Sequence, residues 1–331
     1  MSKPSTQVIA IGNAIVDVMA PCQDELIERY GLVRGGMTLV DTERAKELYA
    51  AMGPAREISG GSAANTLAGL AALGSACAFI GQVADDQLGE VFAHDIRAGG
   101  IHFGTAARAG DPPTARCLIF VTPDGQRTMN TFLGASQFLP PAALDEAAIA
   151  DAEVLYLEGY LWDPEEPRAA MRRAIAASRG AGRKVAFTLS DAFVIARHGD
   201  DFRSMIAAGE IDILFANHIE LAALTGLDDF HAGIAALQDK VPMLVVTRGE
   251  AGAVAATGGE LFEVPAEPVA RVVDTTGAGD LFAAGFLHGH VNNRPVAECL
   301  TMGAICAAEI ISHYGARPEA DLKQLVASRF G

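Results

Sequence analysis

Basic residues are scarce in this chain: 25 Lys and Arg stand against 41 Asp and Glu, a formal net charge of −16. No Lys/Arg cluster interrupts that balance, so no nucleic-acid surface and no anionic-membrane surface is expected. A phosphate bound here must be met locally, by backbone dipoles, a few arginines and a metal. Apolar runs long enough to span a bilayer are also missing. The stretch MSKPSTQVIAIGNAIVDVMAP is interrupted by Asn13 and Asp17 and reads as neither signal peptide nor membrane span. A cytoplasmic protein is the expectation. Cysteine is rare, and Cys22, Cys77, Cys117, Cys299 and Cys306 include no C-x-x-C pair. An odd number of such residues argues for reduced, buried thiols rather than disulfides or a zinc site. His288 and His290 fall two apart on a predicted helix, so they face different ways and make a poor metal pair. The single tryptophan, Trp162, reads as a packing residue. No Lys follows a glycine loop, which excludes a Walker A site, and no internal repeat or low-complexity linker is found.

What is present is apolar residue in quantity: 50% of 331 residues, enough for a large core. Short apolar runs alternate with helical patterns. The strand candidates are Val8–Gly12, Cys77–Gly81, Val154–Gly159, Lys184–Ser190, Asp212–Asn217 and Met243–Gly249. The helix candidates include Ser62–Leu73, Asp86–Ala98, Pro167–Arg179, Ile219–Thr225 and Ile234–Gln238. The strands are apolar on consecutive residues, as buried parallel strands are. This predicts an α/β fold, a mostly parallel sheet covered by helices on both faces. Two stretches break the alternation, about 16–57 and 101–136. The second holds PDG between two alternating runs, a hairpin signal. Both are read as strands of a small sheet that projects from the core and acts as a lid within a single domain, 1–331.

Three stretches carry chemistry. In VVDTTGAGDLFAAGFLHG, glycines open a helix and a carboxylate, Asp280, follows them. A helix start exposes backbone N–H groups and suits an anion. Asp280 is then either a helix cap or a base placed beside a phosphoryl group cradled by Gly277, Ala278 and Gly279. In SGGSAANTLAGLAALG, Gly60 and Gly61 either permit tight packing or let a ligand reach the backbone, with Asn65 aimed at it. In GNAIVD, Asn13 and Asp17 share a face if the chain is extended. Such a pair suits a polyol, because a carboxylate accepts from vicinal hydroxyls; a solvated strand end is the plainer alternative.

Together, GGSAANTLAGLAALG and DTTGAGDLFAAGF resemble the two signatures of the ribokinase-like, or PfkB, family of small-molecule kinases. The resemblance covers nearly the whole chain in order and spacing. It includes NHIE (Asn217–Glu220) and VTRGEAGA (Val246–Ala253). It implies a three-layer α/β/α core with a β-sheet lid, and transfer of the ATP γ-phosphoryl group to a primary alcohol. By match, Asp280 is the catalytic base and Gly277–Gly279 the anion hole. Asn217 and Glu220 arrange the hydration shell of Mg²⁺, and Thr247 and Gly249 lie on the nucleotide side. Within the family, GNAIVD, GGSAANT, GQRTMNTFLGA and TLSDAF resemble the adenosine kinase branch. That implies Asp17 on a ribose diol with Asn13, Gly60, Gly61 and Asn65 around it, Arg127 reaching from the lid toward the phosphate, and Phe193 lining a base pocket. Leu161 falls where that branch stacks a Phe on adenine, with Tyr160 beside it, so a sugar kinase of the same fold stays open, as does a non-catalytic binder. The resemblance also implies a monovalent cation such as K⁺ at Asp274, Thr276 and Gly315, although Glu319 stands where a Ser is typical. ATP and a small-molecule acceptor are the implied partners, with the chain a monomer or a homodimer through the lid.

Overall fold

Strands that are apolar on consecutive residues need a helical layer on each face, and the chain supplies both. A computed structural model describes residues 4–330. In chain order the strands are β1 (Val8–Ile11), β2 (Ile15–Pro21), β3 (Met37–Leu39), β4 (Arg56–Gly60), β5 (Cys77–Ile80), β6 (His102–Phe103), β7 (Ala115–Val121), β8 (Arg127–Phe132), β9 (Val154–Glu158), β10 (Lys184–Thr188), β11 (Ile213–Asn217), β12 (Met243–Thr247), β13 (Ala253–Thr257) and β14 (Glu260–Val264). The nine-stranded main sheet has the order β14-β13-β12-β11-β10-β9-β1-β5-β6. It is parallel from β12 to β6, with β13 and β14 added antiparallel at one edge.

Alternate residues of β1 enter opposite cores. Val8 and Ala10 pack with the helices Ser62–Ala72, Ala278–Val291 and Val296–Ile310. Ile9 and Ile11 pack with Glu165–Gly180, Ala192–Ala207 and His218–Thr225. The fold is thus the predicted three-layer α/β/α arrangement of the ribokinase-like class. Trp162 is fully buried against Phe187 and Phe202, the packing role expected of it.

The second sheet has five strands, β3-β8-β7-β2-β4. Its back face, Val16, Val18, Leu118 and Phe120, is closed by Ile27 and Leu48 from the helices Asp24–Arg29 and Thr42–Ala51. Its front face turns to the core. Residues directly opposed across strands point the same way, so Asp17, Cys117, Thr131 and Leu39 form one row. Met19, Ile119, Met129 and Met37 form the next. Two features differ from the sequence expectation. The lid's second excursion begins at Ala115, because His102 and Phe103 pair with β5 in the main sheet. The two helices on the lid's back were not anticipated, being short and flanked by loop residues. The PDG turn is as expected: the Gly125 N–H donates to the Thr122 carbonyl at 2.8 Å, and Gly125 has φ +84°.

Candidate active site

In parallel sheets ligands gather at the carboxyl ends of strands where the strand order reverses. Here that point lies between β1 and β9, since the chain runs outward from it in both directions. The lid crosses above it. The helix Ala278–Val291 begins there with Gly277 at φ +78°, and an added Cβ would lie 2.8 Å from the Ala316 methyl, so the tight turn requires glycine.

Asp280 sits in the first turn of this helix but does not cap it. Its carboxylate accepts from the Ser62 hydroxyl at 2.6 Å and from the Asn65 side-chain amide at 3.0 Å. Both donors belong to the first turn of the helix Ser62–Ala72. The carboxylate is therefore aimed across the crevice, and the cap reading falls. Burial pushes its pKa up, opposed by those two bonds and by Arg317. The Gly279 and Asp280 amides are first-turn donors without intrahelical acceptors, an anion site beside the base. The Ala278 N–H, expected in that site, donates to the Thr275 carbonyl at 3.2 Å and closes the turn instead.

Asp17 lies on β2 in the same crevice. Burial raises its pKa to about 6; Arg127 and Arg317 pull it down, and Asp280 and Asp274 push it further up. Gly60 has a reason different from the expected one. A Cβ there would fall 2.6 Å from an Asp17 carboxylate oxygen, so the glycine makes room for Asp17 rather than for a ligand backbone contact. Gly61, at φ +97°, likewise packs against the Asn13 carbonyl. Asn13 is itself turned inward. It donates from both its backbone and side-chain nitrogens to Glu158 at 2.7 Å, and its side-chain oxygen Oδ1 accepts from the Ser136 hydroxyl at 2.8 Å. Its side-chain amide thus already has a protein partner at each end.

Asn65 and Arg127 bring buried atoms without partners to this crevice. The Asn65 side-chain oxygen accepts nothing, and Nε and Nη2 of Arg127 donate to nothing. Buried polar atoms are rarely left so. The first suits a ligand hydroxyl and the second an anion. Nη1 of Arg127 meets Asp274 in an ion pair with both side chains over nine-tenths buried. Asp274 also accepts from the Thr276 amide and hydroxyl at 3.0 and 2.7 Å and from the Gly315 amide at 3.0 Å. Burial opposes its ionisation, but these bonds and Arg127 outweigh that and hold its pKa low. The residues expected to ligate a monovalent cation are thus bound to one another and to a guanidinium. They do not fit K⁺.

On the nucleotide side, Asn217 and Glu220 form a reciprocal capping box at the start of His218–Thr225. Burial raises the Glu220 pKa to about 7, its amide bond to Asn217 opposing and Asp191 reinforcing the shift. A buried carboxylate with an acidic neighbour is a group that hydrated Mg²⁺ would satisfy, so this pair fits that ion. Thr247 pairs with Asn217 at the strand ends, and Gly249 is exposed at φ +60° just beyond. Phe193 is 77% exposed on the rim. Leu161 is buried in the core and cannot stack on a ligand; Tyr160, 38% exposed, presents its ring instead. Its pKa is raised by burial first and then by Asp191 and Asp280. His288 and His290 engage Ser75 and Lys184, and no His/Cys/Asp/Glu metal group occurs among the described residues.

Four residues of the site carried no local sequence signal. Arg317 donates to the Ala64 carbonyl and to Ser59, and burial depresses its pKa against the pull of Asp17, Asp95 and Asp280. Ser62 orients the base, Glu158 lies beneath the lid crossing, and Ser190, at φ +69°, receives the Gly159 N–H. Each meets its partner across a large sequence separation, which spacing cannot foresee.

A kinase of sugars or nucleosides is the class that this fold and crevice define. The pfkB family carbohydrate kinase profile matches residues 25–322, and the chain belongs to that family. An adenosine kinase structure from Sinorhizobium meliloti is 46% identical, covers 99% of each chain and has a TM-score of 0.90. A probable sugar kinase from Rhizobium etli CFN 42 is 42% identical, with coverage of 100% and 99% and a TM-score of 0.91. A fructokinase from Klebsiella pneumoniae is 32% identical over 270 residues, 78% of this chain and 87% of its own.

Proposed function

We propose that the protein transfers the γ-phosphoryl group of ATP to the 5′-hydroxyl of a nucleoside, with adenosine the first candidate, giving AMP. The observation that carries this reading is the lid's front face. Asp17 stands in a row with Leu39, and the neighbouring row is Met19, Ile119, Met129 and Met37. Met37 and Leu39 are 52% and 58% exposed. A free sugar has no use for such a platform, whereas a nucleobase attached to a ribose has an apolar face to lay on it. Tyr160 and Phe193 offer aromatic surface from the core side.

In this mechanism Asp17 accepts from the ribose diol and the Asn65 oxygen from a further hydroxyl. Asp280, held by Ser62 and Asn65, takes the proton of the attacking 5′-hydroxyl. The Gly279 and Asp280 amides and the open Nε and Nη2 of Arg127 receive the transferring group. Mg²⁺, when bound through water to Asn217 and Glu220, supplies neutralisation of phosphate charge. Transfer of this kind needs mainly positioning and charge compensation. The second reading is a sugar kinase with the same diol carboxylate, which the match with the Klebsiella pneumoniae fructokinase favours. ATP turnover across a panel of nucleosides, ribose and fructose separates them: adenosine ahead of both sugars supports the first reading, and a sugar ahead of every nucleoside supports the second.

A further inference from the structure

Glu158 is 0% exposed, yet none of its hydrogen-bond donors is a basic side chain. Its partners are three N–H donors, all at 2.7 Å. Asn13 N and Asn13 Nδ2 meet one oxygen, and Ala63 N meets the other. Gly12 leaves space for it, since a Cβ there would fall 2.6 Å from the carboxylate. These partners lie where the lid joins the core. Asn13 is in the crossing from β1 to β2. Its side-chain oxygen accepts from Ser136, which lies just past β8 in the crossing back to the core. Its carbonyl backs onto Gly61, the crossing from β4 to the helix Ser62–Ala72. Ala63 lies in the first turn of that helix, between Ser62 and Asn65, the two residues that hold Asp280.

A continuous set of bonds therefore runs from the base to the lid's hinges: Asp280, then Ser62 and Asn65, Ala63, Glu158, Asn13 and Ser136. We propose that Glu158 is a positioning residue, the post on which the lid hinges and the base-bearing crevice are held in one register. It touches no reacting atom. Movement of the lid at the Asn13 and Ser136 crossings is passed through Glu158 to the first turn that aims Asp280. The function of this post rests on the kinase reading with Asp280 as base.

Glu158→Gln tests it. The glutamine amide has the same shape but only one acceptor oxygen, so its NH₂ faces an N–H donor and one bond is lost. The expected result is a fall in kcat of about 10–10²-fold, the scale of a small misplacement of a catalytic group, with the KM for ATP unchanged. Ser136→Ala, a milder change at the far end of the chain of bonds, lowers kcat less. The two together fall short of the product of the single effects, because they break one linkage. Independent, multiplicative effects, or a lowered melting temperature with kcat intact, overturn the proposal. Hydrogen exchange of the Asn13 and Ala63 amides reads the post without any turnover. Both are expected to be protected in the wild type, and the one that faces the glutamine NH₂ to exchange faster in Glu158→Gln, while β1 is unchanged. Equal exchange in the two proteins also overturns it. Absence of turnover in the wild type with every acceptor counts against the kinase reading alone, and the exchange result still decides the role of Glu158.

Discussion

Asp280 and Asp17 are carboxylates of one crevice, both with raised pKa, yet they have different neighbours and different tasks. Asp280 is fixed by Ser62 and Asn65 and aimed beside open helix-start amides. Asp280→Asn keeps the shape and both hydrogen-bond partners within reach but cannot take a proton. It is expected to fold, to bind ATP and acceptor, and to lose about 10²–10⁴ in kcat, the usual range for a general base. Titration calorimetry together with steady-state kinetics checks both halves. A near-wild-type kcat returns Asp280 to a structural role. Asp17 is costly to the ligand-free protein, because burial opposes its charge. Its raised folded pKa, about 6 against 3.8, means that its stability contribution is full below 3.8 and lost as pH rises through 6. Asp17→Asn is therefore expected to raise the melting temperature at about pH 8, and to raise it less on the acid side. A lowered melting temperature at that pH contradicts the assignment.

The lid is the element on which the nucleoside reading turns, and Arg127, with Nε and Nη2 unpartnered, is its proposed charged contact with the phosphoryl group. Arg127→Ala is expected to lower kcat by about 10²-fold or more, since a cation at developing charge acts mainly in the transition state, while acceptor affinity measured without ATP changes little. Loss of acceptor binding with kcat intact moves Arg127 into the acceptor pocket. Because Asp274 already carries Arg127, Thr276 and Gly315, exchanging K⁺ for choline at equal ionic strength is expected to leave kcat unchanged. Activation by K⁺ contradicts that arrangement. The main sheet was legible in the sequence because six buried strands are apolar end to end, and the glycine loops were legible because their residues are contiguous. The lid's strands were legible as a break in rhythm, but not its starting point at Ala115, since a two-strand pairing such as β5 with β6 leaves almost no pattern. The protein partners of Gly60 and Asn13 were not legible, for a common reason. Local spacing gives the face a residue occupies, but not which distant side chain, Asp17 or Glu158, will fill the space before a ligand does.

Over the whole molecule, the buried carboxylates tie stability and activity to pH in opposite senses. Glu158 and Glu220 are each raised from 4.5 to about 7 and Asp17 from 3.8 to about 6, burial being the first cause in all three. Each contributes stability below its unfolded pKa and loses it as pH rises through the folded value. The melting temperature of the ligand-free protein is thus expected to rise as pH falls from about 8 to about 6, the range in which these groups take up protons. Over the same range kcat/KM for the acceptor is expected to fall, because Asp17 must be ionised to accept from the substrate. Calorimetric scans and rate profiles in matched buffers check the opposed trends, and parallel trends contradict them.

The central claim is that this crevice recognises a ribonucleoside through Asp17 and an apolar lid face. It is tested most directly by the ratio of kcat/KM for adenosine to that for 2′-deoxyadenosine, in the wild type and in Asp17→Ala. A site built to hold a substrate hydroxyl can reject the analogue lacking it by up to about 10⁴–10⁵. A large ratio in the wild type that collapses toward unity in the variant is the expected result. A wild-type ratio near unity, or one that survives removal of Asp17, contradicts it.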